Sequence, residues 1–185
     1  MKKLSMDELN RVSAEEFHRQ EKFPLVVLLD NIRSMHNVGS LFRTCDAFNV
    51  EKLYLCGITA TPPHKEIAKT ALGATESVDW DYVEDGVKVI QQLKNQGYKV
   101  YAVEQTDQSL PLNHLEYKAN EKIAIVLGNE VFGVDDRLLA ECTGAIEIPQ
   151  YGTKHSLNVA IAGGIVIWEV CRNMGVACQP QKCGE

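Results

Sequence analysis

The stretch Ile148-Pro149-Gln150-Tyr151-Gly152-Thr153-Lys154-His155-Ser156-Leu157-Asn158-Val159 links an apolar run, through a glycine turn, to a long apolar segment near the C-terminus. A strand end followed by a turn and a polar helix start is an arrangement with which α/β proteins bind small ligands. Two other segments, residues 37–43 and 127–133, also follow apolar runs. We therefore expect the chemistry to lie where three strand ends meet.

Apolar runs alternate with helical patterns along the whole chain. Because most of these runs are continuously apolar, they are typical of strands covered on both faces, and the alternation predicts an α/β fold with a mostly parallel sheet flanked by helices. The predicted strands are residues 25–29, 52–56, 76–82, 99–103, 123–127 and 145–148. The predicted helices are residues 6–21, 38–48, 65–72, 86–95, 135–141 and 157–174.

Length and composition indicate one domain of ordinary type. The 185 residues contain no low-complexity linker, and the charged N-terminus lacks the apolar run of a signal peptide. No segment reaches membrane-spanning length, so a cytoplasmic protein is expected. The six cysteines form no Cys-x-x-Cys pair, which argues against a disulfide framework and against a metal site.

The net charge of −6 argues at first sight against a nucleic-acid partner. Residues 79–136, however, contain 11 acidic and 5 basic residues, so the whole surplus of negative charge lies in the middle of the chain. Basic side chains stand near the other motif segments, namely Arg33, Arg43, Lys65, Lys69 and Lys154. A local basic face and scattered solvated charges both fit this composition.

The glycines exclude two common nucleotide sites. Gly128 and Gly133 have the spacing of a phosphate-binding P-loop, but Val134 and Asp135 stand where that loop needs Lys and Ser or Thr. No Gly-x-Gly-x-x-Gly follows the first predicted strand, which argues against an ordinary dinucleotide-binding domain.

Taken together, the three segments resemble a known family. Asn-x-Gly-x-x-x-Arg at 37–43, Gly-Asn-Glu-x-x-Gly at 128–133 and Ile-Pro-x-x-Gly-x-x-x-Ser-Leu-Asn-Val at 148–159 are similar to the three motifs of the SpoU (TrmH-like) RNA ribose 2'-O-methyltransferases of the SPOUT superfamily. The resemblance implies a C-terminal deep trefoil knot, S-adenosyl-L-methionine as cofactor, a homodimer, and structured RNA as substrate, with tRNA favoured over rRNA. It also implies an N-terminal helical extension (1–22), a methyltransferase domain (23–176) and a tail (177–185).

The resemblance assigns catalytic roles to five residues. In the helix predicted over 38–48, Arg43 points away from the apolar stripe and is free to face a ligand, while the missing side chain of Gly39 leaves room beside it. The resemblance implies that Arg43 binds RNA phosphate and activates the ribose 2'-hydroxyl. The other four catalytic candidates are Asn37, Glu130, Ser156 and Asn158.

Each assignment has a structural alternative. The alternative for Arg43 is a surface salt bridge, for Asn37 and Ser156 a helix cap, and for Asn129 and Glu130 a turn. No His or carboxylate in the motifs is an obvious base, and a guanidinium stays protonated. We therefore expect electrostatic activation of the hydroxyl, with a phosphate or water accepting the proton.

The resemblance also assigns cofactor and RNA contacts. The cofactor would lie against Leu127, Gly128, Ile148, Pro149 and Leu157, although ordinary core packing is the alternative for Ile148 and Leu157. RNA would be bound by Arg33, Arg43, Lys65 and Lys154.

The last predicted helix has two apolar faces. One carries Leu157, Ile161, Ile165 and Trp168, and the other carries Val159, Ala162, Val166 and Val170. One face is therefore expected to bury against a second copy, with Ala160, Gly163 and Gly164 allowing close approach; a helix buried within one subunit is the alternative. A catalytically silent knotted RNA-binding protein is the rival function, but such a protein is expected to lose Arg43 or the pair Ser156 and Asn158, which this chain keeps.

Overall fold

A computed structural model describes residues 1–5, 8, 12, 14–118 and 121–174 of the chain. Seven strands form one sheet: β1 (Phe23–Asp30), β2 (Val50–Cys56), β3 (Trp80–Val83), β4 (Tyr98–Val103), β5 (Leu110–Pro111), β6 (Lys122–Leu127) and β7 (Gly144–Glu147). Their order is β3-β2-β1-β6-β4-β7-β5, and every neighbouring pair is parallel. The predicted parallel α/β fold is confirmed.

Helices connect the strands and cover both faces of the sheet. They are α1 (Ala14–Arg19), α2 (Met35–Ala47), α3 (Lys65–Ala71), α4 (Ala74–Ser77), α5 (Gly86–Asn95), α6 (Asp136–Glu141) and α7 (Val159–Asn173), with a 3-10 turn at Leu112–His114.

Alternation of side chains along the strands divides the core into two layers. Leu25, Val27 and Leu29 of β1 pack in the layer under α2, α3 and α7, whereas Val26 and Leu28 pack in the layer under α5 and α6. All five are at most 1% exposed, so each contributes about 1.5–3 kcal/mol of burial. The central strands therefore hold the sheet rigid beneath the loops at its carboxyl edge.

The strand predicted over residues 76–82 is wrong in its first part. Gly73, with φ of 92°, begins the short helix α4, and the strand starts only at Trp80. Ser77 explains the helix locally, because its hydroxyl donates to Asp46 of α2 at 2.5 Å and packs α4 on that helix. Pairing with β2 begins only at Trp80.

The ends of the chain differ from the prediction in two further ways. The N-terminal helix predicted over 6–21 is described only at Ala14–Arg19, and most of residues 6–13 lie outside the described part. The last helix begins at Val159 rather than at residue 157. Strand β5 has only two residues, too few for a periodic pattern to indicate it.

No helix among residues 1–5, 8, 12, 14–118 and 121–174 is long and apolar enough to cross a membrane. The trefoil knot and the tail boundary at residue 177 stay predictions, and the tail lies outside the described residues.

Candidate active site

The carboxylate of Glu130 joins the loop after β6 to the loop after β1. Its Oε2 accepts a hydrogen bond from the backbone N–H of Arg33 (2.9 Å), and its Oε1 accepts from the N–H of Ser34 (3.0 Å) and from Nδ2 of Asn37 (2.9 Å). These three donors lie at the start of α2, where the free N–H groups of a helix favour an anion. Glu130 therefore anchors the first motif to the second.

These hydrogen bonds also determine the charge of Glu130. Partial burial alone raises the pKa of this carboxyl, but the bonds from Arg33, Asn37 and Ser34 outweigh it and hold the pKa below its usual range. Glu130 is therefore ionised at neutral pH and acts only as an acceptor.

The hydrogen-bonded chain continues into the third motif. Nδ2 of Asn158 donates to Oδ1 of Asn37 at 3.1 Å, while Oδ1 of Asn158 accepts from the N–H groups of Ala160 (2.9 Å) and Ile161 (3.3 Å). Since ionised Glu130 can only accept, Asn37 must present its amide nitrogen to Glu130 and its oxygen to Asn158. Three motifs distant in sequence thus form one polar network with a fixed direction.

The caps of the two helices differ from the predicted ones. Ser34, not Asn37, caps α2, because its Oγ accepts from the N–H of Asn37 at 3.3 Å. Asn158, not Ser156, caps α7. Neither Asn37 nor Ser156 therefore acts as the helix cap that the sequence had left open for it.

The loop after β6 is a tight turn. Asn129 and Gly133 exchange two backbone hydrogen bonds of 2.9 Å, and Oδ1 of Asn129 accepts from the N–H groups of Val131 (2.9 Å) and Phe132 (3.2 Å). Nδ2 of Asn129 donates to the carbonyl of Asn31 at 2.7 Å. Asn129 therefore forms the turn that its structural alternative predicted.

The turn after β6 leaves no room for a side chain at Gly128. A Cβ at Gly128 would overlap the backbone of Gly133 and Val134. The space predicted to admit a ligand is thus filled by the chain itself, although Gly128 still lines the cleft described next.

A cleft of about 670 Å³ opens at the carboxyl edge of the sheet. Of the predicted cofactor residues, Leu127, Gly128, Ile148 and Leu157 line it, and Pro149 does not. Of the predicted catalytic residues, Glu130, Ser156 and Asn158 line it.

The end of β4 contributes residues that the sequence interpretation missed. Val103, Glu104, Gln105 and Thr106 line the cleft between the second and third motifs, because β4 lies between β6 and β7 in the sheet. Glu104 accepts from the N–H of Val134 at 3.1 Å and from the N–H of Gln105 at 2.9 Å. The signal available in the sequence was the predicted strand over 99–103 with polar residues directly after it.

Arg43 lies outside this cleft. Its exposed side chain lines a second groove, with Phe48, Lys69 and Thr70, between α2 and α3. No ion pair within the described part of the chain involves Arg43, so the salt-bridge alternative is not what the structure describes. The room predicted beside Gly39 is taken by α3, because a Cβ there would overlap the Ile67 carbonyl and Thr70.

The remaining predicted RNA contacts are exposed. The side chains of Arg33, Lys65 and Lys154 lie at the start of α2, at the start of α3 and in the loop before α7, respectively. Neither groove includes them among its lining residues. Their contact with RNA therefore stays a prediction.

Helix α7 buries one of its two apolar faces in the chain itself. Val166 and Val170 are fully buried, and a Cβ at Gly163 would crowd Leu41 and Leu127, so Gly163 serves packing within the chain and not between copies. The other face stays exposed, with Trp168 half exposed; its members are Leu157, Ile161, Ile165 and Trp168. The alternative of a helix buried entirely within one subunit is therefore wrong.

A parallel sheet with polar loops from three strands lining a cleft at its carboxyl edge is typical of ligand-binding α/β proteins. Comparison with known proteins gives a narrower assignment. The model of the SpoU rRNA Methylase family matches residues 24–168. The chain belongs to this family, so the resemblance of the three motifs is confirmed.

Individual relatives agree. A tRNA (guanosine(18)-2'-O)-methyltransferase of Thermus thermophilus is 31% identical over 165 residues, covering 89% of this chain and 83% of the relative. The crystal structure of the TrmH/SpoU tRNA modifying enzyme of Aquifex aeolicus has 29% identity and a TM-score of 0.76, over 86% of this chain and 79% of that one. The AdoMet-bound rRNA methyltransferase of Sinorhizobium meliloti has 28% identity and a TM-score of 0.76, over 89% of this chain and 62% of that one.

Proposed function

We propose that this protein transfers a methyl group from S-adenosylmethionine to a ribose 2'-hydroxyl of structured RNA, and that tRNA is the favoured RNA. The single observation that carries the proposal is the network Glu130–Asn37–Asn158, which assembles the three family motifs beside one cleft. The relative of Thermus thermophilus named as a tRNA 2'-O-methyltransferase supports tRNA as the substrate class. A tRNA substrate also supports the expected cytoplasmic location.

The cleft fits the cofactor in size and chemistry. Its volume of about 670 Å³ lies inside the range of about 300–1,000 Å³ common for small-molecule sites. Leu127, Ile148 and Leu157 offer apolar surface, and the strand ends at Gly128 and Gln105 offer backbone and polar groups. We propose these residues as the cofactor wall, with Pro149 shaping the turn beside Ile148.

When bound, S-adenosylmethionine supplies an electrophilic methyl group whose acceptor is the 2'-oxygen. The chain must then orient the ribose and favour loss of the hydroxyl proton. Asn158 and Ser156 line the cleft where the ribose would be held, and Glu130 keeps Asn37 and Asn158 in one orientation. Arg43 would stabilise negative charge on the 2'-oxygen, with an RNA phosphate or water accepting the proton.

The position of Arg43 supports a homodimer. Trp168 of α7 contacts the ring of Phe48, which lines the Arg43 groove, with the ring centroids 5.9 Å apart. Val159, at the other end of α7, lines the cleft. Nine residues of helix separate Val159 from Trp168, which is about 14 Å at 1.5 Å per residue. Arg43 and the cleft residues thus line separate grooves of one protomer.

A two-fold antiparallel contact along the exposed face of α7 would remove this separation. In such a contact the same patch is used by both copies, so the Trp168 end of one helix lies near the Val159 end of the other. We propose that this contact brings Arg43 of one protomer to the cleft of its partner. Gly164 is half-buried, and a Cβ there would meet no atom within 4 Å, so this position permits a close approach of the two helices.

RNA would be bound across both protomers by Arg33, Arg43, Lys65 and Lys154. All four side chains are exposed and lie on α2, α3 or the loops next to the cleft. Contacts of this kind attract the phosphate backbone, and they weaken as salt increases.

Two measurements test the proposal. Calorimetry is expected to detect S-adenosylmethionine binding and no ATP binding, since no phosphate loop is present in the sequence. Transfer of labelled methyl groups to an unmodified tRNA transcript is expected for the wild type and is expected to fall strongly for Arg43→Lys, which keeps the charge but loses the planar fork. Binding of the cofactor and tRNA without any transfer would favour the silent RNA-binding protein instead.

A further inference from the structure

We propose that Phe132, at the tip of the turn after β6, is the platform on which an unpaired base of the RNA substrate stacks during methyl transfer. Phe132 is 85% exposed and lines the mouth of the cleft that also contains Glu130, Ser156 and Asn158. The inference rests on the proposed RNA methylation, since it names the part of the RNA that the same site recognises.

The exposure of Phe132 is built into the turn. The side chain and backbone of Asn129 bind the N–H groups of Val131, Phe132 and Gly133, so three successive residues are held by one asparagine. Val134 is fixed next by Glu104, which accepts its N–H. These bonds fix the backbone at the tip of the turn, where the ring of Phe132 is exposed to solvent.

An exposed aromatic ring on a hydrogen-bonded turn is suited to a ligand that offers a flat apolar face. Ordering the backbone of the turn in advance reduces the entropy lost on binding. Proteins that act on RNA commonly stack unpaired bases on such rings, and enzymes that reach a single nucleotide remove its base from the helical stack. Stacking tolerates different bases, so Phe132 would contribute to binding without selecting one sequence.

The position of the turn favours RNA over a second copy of the chain. The exposed apolar face proposed as the dimer contact consists of Leu157, Ile161, Ile165 and Trp168, and of these only Leu157 lines the cleft. Phe132 instead is two residues from Glu130, which holds Asn37 and, through it, Asn158. A base on Phe132 would therefore bring its ribose to the proposed acceptor side.

Steady-state methylation of an unmodified tRNA transcript tests the proposal. For Phe132→Ala and Phe132→Leu, kcat/KM for tRNA is expected to fall about ten-fold or more, the effect of losing one stacked base. Phe132→Tyr is expected to stay close to the wild type because it keeps the ring. The matched control is Leu110→Ala, which removes a half-exposed apolar side chain of β5 that lines neither groove.

Spectroscopy gives an independent readout. Phe132→Trp places a fluorescent ring at the tip, and its emission is expected to be quenched by tRNA beyond the change seen for the native Trp80 and Trp168. Leu110→Trp is the matched control and is expected to show no added quenching. The affinity for S-adenosylmethionine and the mass in solution are expected to be unchanged in Phe132→Ala.

Several results would overturn the inference. Full activity of Phe132→Leu would mean that any apolar side chain suffices at this position. A loss of S-adenosylmethionine affinity in Phe132→Ala would mean that the ring contacts the cofactor. Dissociation of Phe132→Ala into monomers would place the ring in the dimer contact. Normal activity of Phe132→Ala would contradict this inference but not the proposed function. Absence of methyl transfer by the wild-type protein removes the proposed function and this inference with it.

Discussion

The side-chain amide of Asn158 donates a hydrogen bond to Oδ1 of Asn37 at 3.1 Å, across 121 positions of sequence. The opposite end of the Asn37 amide donates to Glu130 at 2.9 Å. The direction of both bonds follows from Glu130, which is ionised and can only accept. The geometry of the site therefore depends on the charge of one carboxylate.

Asn37→Asp tests that dependence because it replaces an amide with a carboxylate of nearly the same shape. A second negative charge about 3 Å from Glu130 would repel it, and the donor to Glu130 would be lost, although Asp could still accept the hydrogen bond from Asn158. We expect kcat for methyl transfer to fall about ten-fold further than in Asn37→Ala, equivalent to ~1.4 kcal/mol. Equal activity of the two variants would mean that the direction of the network is unimportant.

The pH dependence of stability tests the charge of Glu130 itself. Because the folded pKa is lowered from 4.5, ionised Glu130 stabilises the fold above about pH 4.5, and this contribution is lost as pH falls through the folded pKa. Glu130→Gln is therefore expected to be less stable than the wild type at pH 7, with the difference shrinking toward pH 3. Urea midpoints at several pH values measure it, and a constant difference would contradict the assignment.

Gly128→Ala tests the turn after β6. The added methyl group would overlap the backbone of Gly133 and Val134, so the turn must shift and the cleft wall with it. We expect a loss of S-adenosylmethionine affinity together with a stability loss of about 1–3 kcal/mol. The control is Gly144→Ala in β7, where the new methyl group meets only Tyr101 at ordinary contact distance. Unchanged S-adenosylmethionine affinity in Gly128→Ala would mean that the turn is not part of the cofactor site.

Mixed dimers test whether Arg43 acts across the interface. Arg43→Ala and Asn158→Ala are expected to be nearly inactive when each is prepared alone. Coexpressed, they would form heterodimers in which one composite site keeps both residues, restoring about a quarter of wild-type activity for random pairing. If Arg43 served the cleft of its own protomer, every site in the mixture would lack one residue and no activity would return.

The molar mass of the protein in solution tests the same dimer. Ile161→Asp places a carboxylate on the exposed face of α7, where an unpaired charge would be buried by the contact. Light scattering is expected to show a monomer for this variant and a dimer for the wild type. Lys154→Asp, on the exposed loop before α7, is a suitable control and is expected to remain a dimer.

The strands were predictable because a sheet covered on both faces demands continuous apolar runs, as in β1 and β6. Short elements such as α4 were not, since four residues carry no clear period. Glu104 escaped prediction because its role depends on β4 lying between β6 and β7, which is a property of strand order.

The network was only half predictable. Its members stood in the three motifs, but the pairing of Asn37 with both Glu130 and Asn158 joins residues 93 and 121 positions apart. Local patterns contain no information on such pairings. Likewise, the sequence suggested space for a ligand at Gly39 and Gly128, whereas tertiary packing filled both spaces with the chain itself.

The chemical position of the transferred methyl group distinguishes ribose methylation from every alternative. An unmodified tRNA transcript would be incubated with the protein and methyl-labelled S-adenosylmethionine, then hydrolysed in alkali, which cannot cleave next to a 2'-O-methylated ribose. Label is expected in an alkali-resistant dinucleotide, and this label is expected to be lost in Arg43→Lys. Label on a base, or no label in RNA while the cofactor binds, would contradict ribose methylation.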